Sequence, residues 1–135
     1  MNHKLKCIML IDDDEPTNYL NKMVIEEAAC AEQCITIENA KEALNYLKTF
    51  QELELPRPDL IFLDINMPAM NGWEFLNAYE TLNEDQKGRV VIIMLTTSLN
   101  PDDMEKARNY QDVDGYKSKP LSLEMIQEVI KTHFS

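Results

Sequence analysis

Four short apolar runs of this sequence are followed by polar side chains that are able to do chemistry. The polar residues are Asp12, Asp13 and Asp14 after the first run, and Asp64, Thr96 and Lys119 at or shortly after the ends of three later runs. An aspartate can bind a metal ion or act as a nucleophile, a threonine hydroxyl can donate a hydrogen bond, and a lysine can neutralise an anion. Whether they act together depends on the elements that position them.

The apolar runs have the length and composition of buried β-strands. Cys7–Ile11, Leu60–Leu63 and Val90–Leu95 are continuously apolar and rich in branched residues, which is typical of strands covered on both faces of a parallel sheet. Cys34–Ile37 and Val113–Tyr116 are weaker strand candidates. We therefore predict five strands.

Amphipathic helices are predicted between these strands. Pro16 suits a first helical turn, Asn39 with Glu42 resembles a capping box, and Asn100–Pro101 is a strong helix start. The predicted apolar stripes comprise Leu20, Met23, Val24 and Ala28; Ala43, Leu44, Leu47 and Phe50; Phe75, Leu76, Tyr79 and Leu82; and Ile126, Val129, Ile130 and Phe134.

Strands and helices alternate along the whole chain, in the order βαβαβαβαβα. This alternation predicts an α/β fold, a doubly wound five-stranded parallel sheet with helices on both faces. In such sheets the ligand crevice lies beyond the carboxyl ends of the strands. The aspartates, the threonine and the lysine are therefore expected to meet at that edge.

Carboxylates gathered at one edge repel each other, by a few kcal/mol for each close pair at an effective dielectric constant of about 20. A bound cation removes this repulsion, and ligands that are all oxygen suit Mg2+, Mn2+ or Ca2+ rather than zinc. One carboxylate could then attack phosphorus and form an aspartyl phosphate, with Lys119 and Thr96 contacting the phosphoryl oxygens. The predicted chemistry is phosphoryl transfer to an aspartate.

Composition limits the classes of partner. The chain has 13 basic and 24 acidic residues and a net charge of -11, so its surface would repel nucleic acid. No apolar run is long enough to span a bilayer, and Met1–Lys6 does not resemble a signal peptide. Cys7, Cys30 and Cys34 match no metal-binding spacing and are expected to be reduced thiols. We expect a cytoplasmic protein that binds neither nucleic acid nor membranes.

The motifs at the predicted strand ends resemble those of the response-regulator receiver domain, the CheY-like family. The motifs are Ile11-Asp12-Asp13-Asp14, Pro58-Asp59-Leu60-Ile61-Phe62-Leu63-Asp64-Ile65-Asn66-Met67-Pro68 with Gly72, Thr96-Thr97-Ser98, and Gly115-Tyr116-Lys117-Ser118-Lys119-Pro120. The resemblance covers essentially the whole chain. It implies one receiver domain over residues 1–135 without an output domain, and the flavodoxin-like strand order 2-1-3-4-5.

The resemblance also implies the role of each acidic residue. Asp64 would be the phosphoacceptor. Asp13 and Asp64 would bind Mg2+, with Mn2+ as a substitute, through their side chains. Asn66 would bind the ion through its backbone carbonyl, and Asp12 through a water molecule.

The remaining implied roles concern switching and partners. Thr96 would bind the phosphoryl group, Lys119 would pair with it, Tyr116 would be the aromatic switch, and the Lys119–Pro120 peptide would be cis. The donor would be a sensor histidine kinase or a histidine phosphotransfer protein. A downstream protein would bind the face formed by the fourth and fifth predicted helices and the fifth strand. The protein would be a monomer or weak homodimer. It would not be an enzyme in the usual sense, since it would catalyse only its own phosphorylation and dephosphorylation.

Four positions that vary within the family affect how the site works. Ala69 stands where glycine is common and is expected to stiffen the loop after Asp64. Thr97 is larger than the usual Ala or Gly and is expected to narrow access to the phosphoryl group. Asn66 and Ser98 occupy positions that tune the lifetime of the phosphate.

Two other classes use similar elements. A haloacid-dehalogenase-type phosphatase also has a nucleophilic aspartate, but Asn66 stands where its general acid would be, and its acidic pair comes last in the chain. A flavodoxin-like FMN carrier would need a Ser/Thr/Gly loop after the first strand, where this chain has three aspartates. Within the receiver family, the sequence leaves open a terminal switch or a relay intermediate.

Overall fold

The computed structural model describes residues 4–87, 90–97 and 100–134. The strands are β1 (Leu5–Ile11), β2 (Ala31–Ile37), β3 (Leu60–Leu63), β4 (Val91–Thr96) and β5 (Val113–Ser118), and the helices within those ranges are α1 (Glu15–Ala28), α2 (Ala40–Thr49), α3 (Gly72–Glu80), α4 (Glu84–Lys87), α5 (Pro101–Arg108) and α6 (Leu123–Phe134). All five predicted strands are present. The one-turn helix α4 was not predicted, so the fourth and fifth predicted helices are α5 and α6.

The five strands form one parallel sheet in the order β2-β1-β3-β4-β5, which confirms the doubly wound α/β prediction. The register pairs Ile11 at the end of β1 with Ile37 of β2 and with Leu63 of β3. Thr96 at the end of β4 pairs with Ser118 of β5. The carboxyl ends of the strands therefore share one edge, which places the residues that follow them side by side.

Two apolar layers enclose the sheet because successive strand side chains point to opposite faces. Met9 and Ile11 of β1 belong to the layer that contains the buried residues of α2 and α3. Ile8 and Leu10 belong to the layer that contains Ile25 of α1 and the buried residues of α6. Both faces of the sheet are thus covered, as the continuously apolar strands predict.

The apolar stripe predicted for α1 is wrong in its first two members. Leu20 is 60% exposed and Met23 is 48% exposed. The buried residues of this helix are Asn18, Asn21 and Ile25. The inner face of α1 carries the amides of Asn18 and Asn21 because this part of the helix lies against Asp12 and Asp64, which follow β1 and β3. The apolar side chains of Leu20 and Met23 therefore point toward solvent.

The predicted helix starts are confirmed. The side chains of Asn39 and Asn100 cap α2 and α5. Pro16 lies in the first turn of α1, as predicted. A full capping box at Asn71 and Glu74, which was not predicted, begins α3. Within the described ranges, no helix combines the length and apolarity needed to cross a bilayer.

Candidate functional site

Three carboxylates meet at the carboxyl edge of the sheet. Oxygen atoms of Asp12, Asp13 and Asp64 all lie within 4.8 Å of one another. Asp12 is 4% exposed and Asp64 is 6% exposed, whereas Asp13 faces solvent. The paired ends of β1 and β3 impose this arrangement, and it leaves the cluster open on one side.

The third consecutive aspartate has a different role. The Asp14 side chain accepts hydrogen bonds from the backbone N–H and the hydroxyl of Thr17, and it caps α1. These hydrogen bonds lower the pKa of Asp14. The run of three aspartates thus divides into two members of the cluster and one helix cap.

Lys119 joins the acidic cluster from β5. Its Nζ forms an ion pair with Asp12 and lies 3.3 Å from Oδ1 of Asp64. The peptide bond between Lys119 and Pro120 is cis, as the family resemblance implies. The backbone N–H of Lys119 donates to the carbonyl of Thr96 at 2.9 Å. Strand pairing therefore fixes the lysine beside both carboxylates.

Electrostatics in this site disfavour a charged Asp64. Burial, followed by the charge of Asp12, raises its pKa from the ordinary value of 3.8 to about 6, although Lys119 acts in the opposite direction. Burial lowers the pKa of Lys119, but its hydrogen bond to Asp12 and the charges of both aspartates outweigh burial and raise that pKa overall. Lys119 therefore remains an ammonium group.

The donor set suits a hard divalent cation. Three carboxylates and a single ammonium leave an excess of negative charge, and all the candidate ligands are oxygens. A cation such as Mg2+ or Mn2+ binds through one or two carboxylates while it keeps several waters, and the exposed side at Asp13 leaves room for them. Zinc, which prefers nitrogen and sulfur ligands, does not fit this set.

The loop after Asp64 is held against α3. The backbone N–H of Gly72 donates to the carbonyl of Ile65 at 2.8 Å. A Cβ atom at Gly72 would lie 2.6 Å from the Asp64 carbonyl oxygen, so this close approach requires glycine. Ala69 has a φ of 67°, a conformation that favours glycine, and Asn66 is exposed.

Thr96 and Tyr116 lie on neighbouring strands, as predicted. Thr96 is fully buried at the end of β4, and Tyr116 is half-buried on β5 opposite Met94. Tyr116 lines a cavity of about 310 Å³ between α5 and β5. Thr97 is exposed beside Thr96, and Ser98 lies outside the described residues.

Sequence reasoning missed two buried amides beneath the acidic cluster. Asn18 and Asn21 of α1 line a small cavity together with Asp12 and Asp64. Asn18 and Asn21 are three residues apart and therefore lie on one face of the helix, which was the available signal. The prediction instead placed the more hydrophobic Leu20 and Met23 on the buried face.

Known proteins resemble this chain in fold and in sequence. A family model described as the response regulator receiver domain matches residues 8–131. The response regulator Rcp1 of Synechocystis is 31% identical over 121 residues, which cover 80% of this chain and 81% of Rcp1.

Two solved structures extend the comparison. A two-component response regulator from Cytophaga hutchinsonii superposes with a TM-score of 0.87 and 31% identity, over 96% of this chain and 97% of that one. The Mn2+-bound form of Rcp1 superposes with a TM-score of 0.72 and 28% identity, over 94% of this chain and 90% of that one. This chain belongs to the response regulator receiver family and has the phosphoacceptor role of that family in two-component signalling.

Proposed function

We propose that Asp64 is the phosphoacceptor of this receiver domain and that the donor is a phosphohistidine on a sensor kinase or a histidine phosphotransfer protein. The observation that carries the proposal is the position of Lys119, whose Nζ lies between Asp12 and Asp64. A lysine in this place neutralises part of the negative charge of the cluster before phosphorylation and can pair with a phosphoryl oxygen afterwards.

Each residue of the site has one role in the proposed phosphoryl transfer. An Asp64 carboxylate oxygen forms the new bond to phosphorus, the phosphorus–nitrogen bond of the donor breaks, and the donor imidazole takes up a proton. Lys119 neutralises charge on the phosphoryl oxygens, and Thr96 donates its hydroxyl to one of them. Asp12 keeps Lys119 in place through their ion pair.

A divalent cation completes the site in this proposal, and Mg2+ fits the oxygen ligands best, with Mn2+ as a substitute. Asp13 and Asp64 would hold it by their side chains, Asn66 by its carbonyl, and Asp12 through water. When bound, the ion offsets the negative charge of the carboxylates and the phosphoryl group. The Mn2+-bound Rcp1 structure supports a metal of this type.

The proposed function is a signalling switch that takes its phosphoryl group from the donor and catalyses only its own phosphorylation and dephosphorylation. Asn66, two residues after Asp64, carries an amide and cannot donate a proton as a carboxylic acid would. A haloacid-dehalogenase-type phosphatase would need such an acid at that position. The measurement that separates these alternatives is steady turnover of an added phosphomonoester, which we expect to be absent.

The output face in this proposal consists of α5, β5 and α6. A phosphoryl group would draw the Thr96 hydroxyl inward and leave space for the Tyr116 ring to turn toward the core. Couplings of this kind are about 1–3 kcal/mol, so the active form is partly populated before phosphorylation. The cavity lined by Met104, Arg108 and Tyr116 would change shape as the ring moves.

Beryllofluoride, which mimics the phosphoryl group, tests this output. We expect NMR shift changes in wild type to extend from Asp64 through residues 100–123. The Thr96→Ala variant should still accept a phosphoryl group from acetyl phosphate, but its shift changes should stay near Asp64. Shift changes confined to the loops around Asp64 in wild type would exclude this output face.

A further inference from the structure

Asn18 of α1 is tied directly to the acidic cluster. It is 3% exposed, and its Nδ2 donates to the backbone carbonyl of Asp12 at 2.8 Å. A carbonyl oxygen can only accept, so the orientation of the Asn18 amide is fixed by this bond. Its Oδ1 therefore points away from the Asp12 carbonyl oxygen and can accept a hydrogen bond only from another donor.

That oxygen has no protein partner. Among the residues that the structure describes, Oδ1 of Asn18 is the one fully buried side-chain nitrogen or oxygen without a hydrogen bond. Leaving a buried acceptor unsatisfied typically costs roughly 1–3 kcal/mol, and buried polar groups are nearly always paired with protein or ordered water. A donor is therefore required at this position.

The space beside Asn18 has the size of one water molecule. A cavity of about 10 Å³ is lined by Asn18, Asn21, Asp12 and Asp64 together with four apolar residues. A volume of roughly 10–15 Å³ is the minimum for a single water, which also needs at least two polar partners. The carboxylates of Asp12 and Asp64 accept hydrogen bonds when ionised, so they cannot satisfy Oδ1 themselves.

We propose that this cavity binds one ordered water, which donates to Oδ1 of Asn18 and to a carboxylate oxygen of Asp12 or Asp64. Water suits the place because it supplies two donors to acceptors that cannot satisfy one another. Asn18 then acts as a positioning residue: its amide holds the Asp12 backbone, and its water holds one of the two carboxylates. The consequence for phosphorylation rests on the proposed function, whereas the water itself does not.

A crystal structure at a resolution that shows ordered waters tests the site directly. We expect a density peak about 2.7–3.2 Å from Oδ1 of Asn18 and within hydrogen-bond distance of a carboxylate. A dry cavity would overturn the proposal. A peak with five or more oxygen contacts at about 2.0–2.6 Å, the range for Mg2+ and Ca2+, would identify a cation and would also overturn it.

The positioning role is tested by Asn18→Leu, which removes the amide while it keeps a similar volume. We expect Mg2+ affinity and the rate of labelling by acetyl phosphate to fall roughly 10–100-fold, as for other residues that support metal ligands. Asn45→Leu is the matched control, because Asn45 is exposed in the middle of α2, and it should match wild type in both measurements.

A second variant separates positioning from folding. Asn18→Ser replaces the amide with a smaller hydroxyl group and makes room for another water, so we expect it to recover most of the lost rate and affinity. If Asn18→Leu fails to fold, the serine variant and the wild-type crystal structure decide. Wild-type behaviour of Asn18→Leu would refute the positioning role, and equal defects in the leucine and serine variants would show a packing effect instead. Failure of wild type itself to become labelled would contradict the proposed function and leave the water test intact.

Discussion

Aspartates lie at both edges of the parallel sheet, and their surroundings differ. At the amino edge, Asp59 accepts from the backbone N–H groups of Lys6 and Cys7 at 2.7 and 3.4 Å. Asp114 similarly accepts from the N–H of Ile92 at 3.0 Å. At the carboxyl edge, Asp12 and Asp64 face each other and share one lysine.

The difference shows how the neighbours of a carboxylate decide its role. A carboxylate that accepts backbone N–H groups satisfies those donors and holds the start of a strand in place. A buried carboxylate beside a second one is destabilised as an anion, which is why the pKa of Asp64 rises to about 6. The amino-edge aspartates therefore stabilise the fold, whereas the carboxyl-edge pair requires a cation and is suited to chemistry.

The sharpest test of this contrast compares Asp64→Asn with Asp59→Asn. Acetyl phosphate with Mg2+ should add one phosphoryl mass to wild type and to Asp59→Asn. It should add none to Asp64→Asn, because the amide is not a nucleophile toward phosphorus. Intact-protein mass spectrometry measures the label. Labelling of Asp64→Asn to the wild-type level would show that Asp64 is not the phosphoacceptor.

The next effect concerns the metal. Asp13→Ala should weaken Mg2+ binding by roughly 10–100-fold, because it removes a proposed ligand and part of the negative charge. Asp14→Ala, which alters the neighbouring helix cap, should leave Mg2+ affinity near wild type while it lowers stability by about 1 kcal/mol. Calorimetric titration measures both affinities, and equal values for wild type and Asp13→Ala would contradict the model of the metal site.

A pH series tests whether the charged form of Asp64 lowers the stability of the fold. The raised pKa of Asp64 means that the folded state binds a proton more tightly than the unfolded state, so this group lowers stability progressively as pH rises from about 4 to about 6. Without metal, Asp64→Asn should therefore raise the free energy of unfolding by about 3 kcal/mol at pH 7. The gain should vanish near pH 4.

Asp59→Asn should have the opposite sign at pH 7. A neutral amide accepts the Lys6 and Cys7 N–H groups more weakly than a carboxylate does. We expect a loss of about 1 kcal/mol, measured by urea unfolding with a chelator present. A stabilised Asp59→Asn, or a destabilised Asp64→Asn, would remove the distinction between the edges.

The smallest effect concerns backbone strain. Ala69 after Asp64 and Ala29 before β2 have φ values of 67° and 52°, so Ala→Gly at either place should stabilise the fold by about 1 kcal/mol. Only Ala69→Gly should also change the rate of phosphorylation, because its loop follows Asp64. Identical labelling kinetics in both variants would show that Ala69 does not influence the site.

Much of the site could be predicted because its signals are local. Each apolar run identifies a strand, and the polar residue after it lies within one or two positions of the strand end. Parallel alternation then brings Asp12, Asp13, Asp64 and Lys119 to one edge, and the structure places them there. The functional roles of these residues follow from family resemblance and await the tests above.

The role of individual polar residues could not be predicted from local signals. Asp12 and Asp14 are two positions apart, yet the first belongs to the cluster and the second caps α1. Asp59 lies within a family motif, but its partner Lys6 is 53 residues away. Partners that are this far apart in the sequence can be identified only from the folded structure, in which distant segments are in contact.

The sequence by itself determined the five strands, their parallel arrangement and the edge at which the acidic residues gather, because hydrophobic periodicity and chain connectivity act over short stretches. Only the tertiary structure decided which face of α1 is buried. The burial of Asn18 depends on the Asp12 carbonyl and the cavity beside it. A polar side chain can be buried at low cost only where it finds a hydrogen-bond partner. Helix periodicity contains no information about that partner.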